Sequence, residues 1–284
     1  MNMEDNILAI VNLLDSQNIE EICKGLNKLD ALLLRLLPQI EGSWTPKVSR
    51  SFDETKSPFR LSSKGGNLED GTRSPKPSED PKIRPSTKTN GSEELKLFLK
   101  LQDNFQFNIA SHLLNYYKHV QEIDDDILTC NRLLQGLLLI HPASRKLFNR
   151  DLNMKLMIGF LDDDRLFIRV TISFISTIIH ILLKDLRNFR VFEANNGCSL
   201  LIRKFNLSSF DPKTSLNSSS AEGTLTQQNL NFKIIEFLIF YMIEEDKIPN
   251  EVTKSIAEKS ALFRDDFPEI DSLVENLSEL KDLQ

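Results

Sequence analysis

Apolar residues recur along most of the chain at the spacing of an α-helix. Between residues 5 and 37, the stretch "ILAIVNLL" carries its apolar positions on one face, and "NIEEICKGLNKLDALLLRLL" repeats them every three or four residues. Such spacing gives each helix one apolar stripe that can face a core. The pattern predicts two helices here, with Asn18 as the N-cap of the second helix and Pro38 as its end.

From Glu93 onward, apolar segments of eight to eighteen residues follow one another. The Ile-rich segment at 168–183 has the composition of a strand, but it is longer than strands usually are. No glycine-punctuated strand pattern is present, so we predict an all-α protein. The segments are "ELKLFLKL", "FQFNIASHLLNYYKHV", "DILTCNRLLQGLLLI", "LNMKLMIGFL", "LFIRVTISFISTIIHILL" and "LNFKIIEFLIFYMI".

Three stretches of the chain, each starting near a phenylalanine, repeat one pattern. Phe105, Phe148 and Phe192 are 43 and 44 residues apart, and an apolar pair follows each of them after eight and nine residues. A period of 40–47 residues is typical of armadillo and HEAT repeats. We therefore predict an armadillo/HEAT-like helical repeat in which the three phenylalanines are core anchors. An irregular helical bundle is the alternative.

Two acidic runs, "DDDIL" at 124–128 and "DDDRLF" at 162–167, each precede a long apolar helix. Aspartate in that position accepts hydrogen bonds from free backbone N–H groups and complements the helix dipole. Neither run has the alternating ligands and the glycine of a calcium loop. We interpret both as helix caps and predict no metal site.

Residues 39–92 differ in composition from the rest of the chain. They are rich in Ser, Thr, Pro, Gly and Lys and have few aliphatic residues, which predicts a disordered insert. Thr45, Ser57 and Ser74 each precede a proline and are candidate phosphorylation sites. The insert would separate an N-terminal helical pair (1–38), packed on the main domain, from the helical repeat domain (93–248). Acidic helices would follow at 249–284.

Charge and composition argue against a nucleic-acid binder, a membrane-spanning protein and a disulfide-stabilised protein. The net charge of −6 argues against nucleic-acid binding, although residues 43–92 hold ten Lys and Arg against six Asp and Glu. Residues 244–284 hold five basic and twelve acidic residues. The longest apolar run, Val170–Leu183, is shorter than the roughly twenty residues of a membrane span. Three widely separated cysteines favour a reducing compartment over a disulfide framework.

The stretch "RVFEANNGCSLLIRKF" places an acid, Glu193, five residues before a thiol, Cys198. A reactive cysteine needs a histidine or another basic partner, and none stands beside it in the sequence. The residues between them, Asn195–Gly197, tolerate left-handed backbone angles and suit a bend between helices. We interpret Cys198 as a core residue. The four histidines show no convincing zinc spacing, and we predict no catalytic residue and no cofactor.

The blocks "FLKLQDNFQFNIASHLL", "LLQGLLLIHPASRKLF", "RVFEANNG" and "IIEFLIFYMIEED" together resemble the fungal cell-division-control protein family of the septation initiation network. That family is distinct from the phosphatase that shares its historical name. The resemblance implies a non-catalytic partner subunit of a germinal-centre-type (Sid-like) protein kinase. The subunit would support kinase activity and its placement on the spindle pole body during septation.

The resemblance also bears on individual residues. Arg145, Arg190 and Glu193 match family motifs, and each would either contact a partner or brace a turn. Two other functions stay open at this point: a cysteine-dependent hydrolase built on Cys130 or Cys198, and a purely structural adaptor at the pole body.

Overall fold

The computed structural model describes residues 2–44, 90–120, 125–206, 221–246, 248–249 and 251–282. All regular secondary structure within these ranges is helical, which confirms the predicted all-α class. Two 3-10 helices lie at Phe105–Phe107 and Pro142–Asn149. The α-helices are α1 (Met3–Leu14), α2 (Ile19–Trp44), α3 (Asn90–Gln102), α4 (Ile109–His119), α5 (Asp125–Ile140), α6 (Asp151–Asp162), α7 (Ile168–Leu182), α8 (Leu186–Ala194), α9 (Gly197–Ile202), α10 (Ala221–Tyr241), α11 (Ile256–Ala261) and α12 (Ile270–Asp282).

The helices form two layers. The long helices α2, α5, α7 and α10 pack side by side in chain order, while α1, α4, α6, α8 and α9 pack along their flank. Asn131 donates to Ser173 Oγ at 3.0 Å, and Gln135, one turn further along α5, donates to Thr177 Oγ1 at 2.9 Å on α7. Because both partners advance by one turn together, α5 and α7 run parallel. This is the stacking of an armadillo/HEAT-like repeat.

Hydrogen bonds between equivalent positions of neighbouring units show the repeat register. Asn195 Nδ2 donates to Asp151 Oδ1, 44 residues earlier, at 2.8 Å. Asn188 Nδ2 donates to the Arg145 carbonyl, 43 residues earlier, at 2.9 Å. These separations equal the period that the phenylalanine spacing predicts.

The predicted core anchors differ in burial. Phe148 and Phe192 are fully buried, but Phe105 is 72% exposed, so its prediction as a core residue is wrong. Phe105 lies in a three-residue 3-10 helix, and Phe107 of the same turn packs on the core instead. The neighbouring Phe98 of α3 is fully buried there as well. The first unit thus fills its core from other positions.

In the N-terminal part of the chain, α1 packs on α4 and α2 packs on α5. Asn18 Oδ1 accepts a hydrogen bond from the Glu20 backbone N–H at 2.9 Å, which confirms the cap. The prediction that Pro38 ends the helix is wrong, because α2 continues to Trp44. A proline leaves the carbonyl four residues earlier without its N–H partner. That residue, Leu34, is 57% exposed, so water can satisfy its carbonyl.

The acidic run at 162–167 does not cap α7 as predicted. Asp162 is the last residue of α6, Phe167 is the N-cap of α7, and no side chain caps that end. Asp163 instead accepts two hydrogen bonds from the Arg165 guanidinium, at 2.9 and 2.8 Å. Asp124 of the other run lies outside the described residues.

Several predictions fall on residues outside the described ranges. They are the phosphorylation sites Thr45, Ser57 and Ser74 and most of the insert at 39–92. The predicted domain boundaries also stay predictions. Within the described ranges, no helix has both the length and the apolarity that crossing a bilayer requires.

The bend between α8 and α9 depends on two residues. Asn196 has a left-handed backbone with φ of 58°. Gly197 begins α9 directly above Phe192, and a Cβ atom there would lie 2.3 Å from Cε2 of that ring. The glycine is therefore required by a close approach, since the Phe192 ring is fully buried and has no room to move.

We expect Gly197→Ala to lower the free energy of unfolding by about 2 kcal/mol, because the added methyl group overpacks the core against Phe192. Gly136 of α5 provides the matched control, since a Cβ there meets nothing within 4 Å. Gly136→Ala should raise stability by about 0.5–1 kcal/mol through helix propensity. Urea denaturation followed by circular dichroism measures both values. Equal effects of the two substitutions would contradict the close approach.

Candidate functional site

Two of the three motif residues, Arg190 and Glu193, meet at the C-terminal end of the stack. Arg190 and Glu193 lie on α8 at i and i+3, so both face the same direction. Opposite them lies the segment that follows α10. Together with Glu245, Lys254 and Lys259 they form a set of five charged side chains, which we call the charge cluster.

Glu193 connects three elements of the fold. Its carboxylate is 4% exposed, accepts a hydrogen bond from the Tyr241 hydroxyl of α10 at 2.5 Å, and accepts another from Lys254 Nζ at 2.7 Å. Arg190 Nη1 lies 3.4 Å from the same carboxylate. Glu193 is thus a structural acceptor in the interior and not a solvated acid.

Glu245 is the second buried acceptor, and its side chain is also 4% exposed. It accepts a hydrogen bond from Arg190 Nη2 and another from the Lys254 backbone N–H at 2.8 Å. Lys259 Nζ lies 3.1 Å from its Oε1 atom. These contacts fasten the segment after α10 onto α8.

Lys259 is a buried lysine, 1% exposed. Its Nζ donates to the carbonyl of Tyr241, the last residue of α10, at 2.9 Å and to the carbonyl of Ile243, two residues further, at 2.7 Å. It also lies 5.5 Å from the centre of the Phe189 ring and 5.4 Å from that of Tyr241. Burial lowers the pKa of Lys259, and the neighbouring Glu245 opposes this shift. A cation at the end of a helix satisfies free carbonyls and complements the dipole.

The acid and the thiol of "EANNGC" are connected through a third residue. Cys198 Sγ lies 3.5 Å from the Tyr241 hydroxyl, which in turn donates to Glu193. Burial raises the pKa of Cys198 to about 12, and it does the same for Cys130 of α5. Thiolates are the reactive form, so both thiols are poor nucleophiles at neutral pH. Cys198 is 2% exposed, as its interpretation as a core residue requires.

Arg145 braces the turns of two units. It is 7% exposed and donates from Nη1 to the Leu183 carbonyl and from Nη2 to the Leu138 carbonyl, both at 2.8 Å. The structure therefore shows intramolecular bonds for all three motif residues, Arg145, Arg190 and Glu193. Their role as partner contacts stays a prediction.

The rest of the charge cluster was not predicted from the sequence. Tyr241 and Glu245 lie inside the block "IIEFLIFYMIEED", but nothing in that block indicated that they face α8. Lys254 and Lys259 belong to a polar, acidic segment in which a buried lysine has no sequence signal.

Two of the four histidines, His112 and His141, contact carboxylate or hydroxyl groups of other side chains. His112 Nδ1 donates to Asp15 at 2.8 Å, and His141 contacts Ser144 Oγ at 2.8 Å and Asp103 at 3.1 Å. Among the residues that the structure describes, no group of three or more His, Cys, Asp or Glu side chains could hold a metal ion.

We expect Glu245→Ala to lower the free energy of unfolding by about 3 kcal/mol, because it removes the buried carboxylate that the Arg190 guanidinium and the Lys259 ammonium share. The adjacent Glu244 is exposed, so Glu244→Ala is a matched control that should change stability by less than about 0.5 kcal/mol. Thermal or urea unfolding gives the comparison. A Glu245→Ala protein as stable as the Glu244→Ala protein would mean that the cluster does not hold the C-terminal segment.

We also expect the buried thiols to resist alkylation. A pKa of about 12 leaves roughly one thiol in ten thousand ionised at pH 8. Iodoacetamide should therefore modify only Cys23, which is half-buried, in the native protein, and all three cysteines in guanidinium chloride. Peptide mass spectrometry identifies the labelled sites. Rapid native labelling of Cys130 or Cys198 would revive the cysteine-hydrolase alternative.

Comparison with known proteins identifies the family of this chain. The sequence model of the family "Cell division control protein 14, SIN component" matches residues 3–252. Cell division control protein 14 of Schizosaccharomyces pombe is 26% identical over 187 residues, which cover 60% of this chain and 65% of the fission yeast protein. No solved structure matches. On the match over residues 3–252, the chain belongs to the family of cell division control protein 14, the SIN component.

Proposed function

We propose that this chain is a non-catalytic regulatory and scaffold subunit. It binds a germinal-centre-type (Sid-like) Ser/Thr protein kinase, supports its activity, and places it on the spindle pole body in septation signalling. The match of the family model to residues 3–252 carries the proposal, since it assigns the chain to a SIN component. The subunit acts in the cytoplasm and at the pole body and needs no cofactor.

The open side of the long-helix layer supports a docking role. Leu139 of α5 is 45% exposed, and Phe232 and Ile239 of α10 are 59% and 52% exposed. Phe232 and Ile239 are seven residues apart, two helical turns, so they lie on one face of α10. Between α5 and α10 lies α7, whose Ile172 and Ile179 are half-buried. Apolar side chains exposed along adjacent helices are typical of protein-binding surfaces.

The interior chemistry supports a role without catalysis. The two fully buried cysteines have raised pKa values, and their hydroxyl neighbours Tyr117 and Tyr241 have raised pKa values as well. Such groups keep their protons at neutral pH and are suited to packing. The kinase would provide the chemistry, and the subunit would provide a rigid surface.

The pair of substitutions Leu139→Asp and Ile239→Asp should weaken kinase binding at least about tenfold, because each puts a charge into a surface that the partner covers. Leu152 of α6 is 80% exposed on the other layer, so Leu152→Asp is a matched control that should bind normally. Affinity capture of the tagged subunit from mitotic cells, with quantitative mass spectrometry of bound kinases and a kinase assay on the eluate, measures both.

Three results would count against the proposal. The first is the recovery of no protein kinase with the unaltered subunit. The second is equal binding by the paired variant and the unaltered protein. The third is kinase activity that does not depend on the subunit, which would favour a purely structural adaptor. Unchanged melting temperatures of all variants exclude misfolding as the cause.

A further inference from the structure

Two surface cavities lie beside Arg150, between α4 and the 3-10 helix at Pro142–Asn149. Their volumes are 280 and 240 Å³, and Leu147 and Arg150 line both of them. Because they share these residues, they are neighbours, and we call them together the junction cavity. Its walls come from α4, the two 3-10 helices and α6, and so from the layer of short helices.

Basic side chains without acidic partners line the junction cavity. Lys118, Lys146 and Arg150 contribute to its walls. Within the described part of the chain, none of the three lies within salt-bridge distance of a carboxylate, and Lys118 donates only to Asn115, at 3.3 Å. The chain as a whole has a net charge of −6, so three unpaired cations in one concavity are a local exception.

The two carboxylates in the same walls are already engaged. Asp15 accepts hydrogen bonds from His112 Nδ1 at 2.8 Å and from Asn115 Nδ2 at 3.1 Å. Asp103 accepts one from His141 Nε2 at 3.1 Å. Neither carboxylate lies against the lysines or Arg150, so positive charge predominates where the two cavities join.

An aromatic ring stands beside these cations. Phe105, which is 72% exposed, lines the larger cavity. Its exposure has no explanation in the packing of the stack, since Phe107 and Phe98 supply the core there. The junction cavity therefore combines an unpaired guanidinium, two ammonium groups and an uncovered phenyl ring.

We propose that the junction cavity binds a phosphorylated serine or threonine in a peptide segment of a partner protein. The phosphate lies against Arg150, whose planar guanidinium can donate two parallel hydrogen bonds to it, with Lys118 adding charge. An apolar residue next to the phosphorylated one packs on Phe105. Recognition of phosphorylated motifs by clustered cations is a known mode of peptide binding.

The shape of the site favours a peptide over other anions. The cavity is a small surface depression, whereas nucleic-acid binding needs an extended basic surface. A membrane headgroup would not use a concave aromatic wall. The site lies on the layer of short helices, so the proposal does not depend on kinase binding at the long-helix layer.

The test uses the full chain and two dye-labelled degenerate peptide pools with randomised flanks, one with a central phosphothreonine and one with threonine. In fluorescence anisotropy at fixed ionic strength, the phosphorylated pool should bind at least about tenfold more tightly. Arg150→Gln and Lys118→Gln should each remove most of that preference. Lys28→Gln, at an exposed lysine of α2 outside the cavity, is the matched control and should keep it.

Additional measurements distinguish a phosphorylated peptide from inorganic phosphate and from a lipid headgroup. Phe105→Ala should weaken binding of the phosphorylated pool about fivefold or more, yet leave competition by inorganic phosphate unchanged. Arg150→Gln should still capture the kinase, which keeps this proposal separate from the proposed function. Equal binding of the two pools, equal losses in Arg150→Gln and Lys28→Gln, or a preference for phosphatidylserine vesicles over the phosphorylated pool would overturn it.

Discussion

Each helical unit of this chain has an apolar face that it cannot cover alone, and the fold exists because neighbouring units cover one another. One hydrophobic core runs from Met3 of α1 to Val274 of α12. The long helices must therefore lie parallel and in contact, and the short helices must close the flank. The open side of the long-helix layer is what remains uncovered. The proposed scaffold role and the proposed docking surface both rest on this uncovered side.

The charge cluster lies at the C-terminal end of the stack, where it fastens the segment after α10 onto α8. Glu193 and Glu245 accept from Arg190 and Lys254, while Lys259 satisfies the last carbonyl of α10. The desolvation free energy of buried charged groups offsets much of their electrostatic attraction. The cluster therefore contributes more to the placement of the C-terminal segment than to net stability. Two of the residues that resemble the family's motifs, Arg190 and Glu193, therefore hold the C-terminal end of the stack.

The sequence predicted the helical class, the period and the bend at Asn195–Gly197, because these depend on local spacing and backbone preference. It did not predict the exposure of Phe105. The repeat spacing does not determine which of the two aromatic residues of the 3-10 turn, Phe105 or Phe107, faces the core. The prediction that Pro38 ends α2 was wrong, because the carbonyl that a proline frees belongs here to Leu34, a residue on the exposed face of the helix. Glu193 of the charge cluster bonds to Tyr241, 48 positions later in the sequence, and to Lys254, 61 positions later. A local sequence pattern cannot indicate contacts between residues so far apart.

The most direct measurement is an electron cryo-microscopy structure of the subunit bound to the protein kinase that we propose as its partner. We expect the kinase to cover the open side of α5, α7 and α10, with Leu139 and Ile239 buried in the interface and the helix stack unchanged. Kinase density on the layer of short helices, or a complex in which the two long helices α5 and α7 separate, would contradict the account.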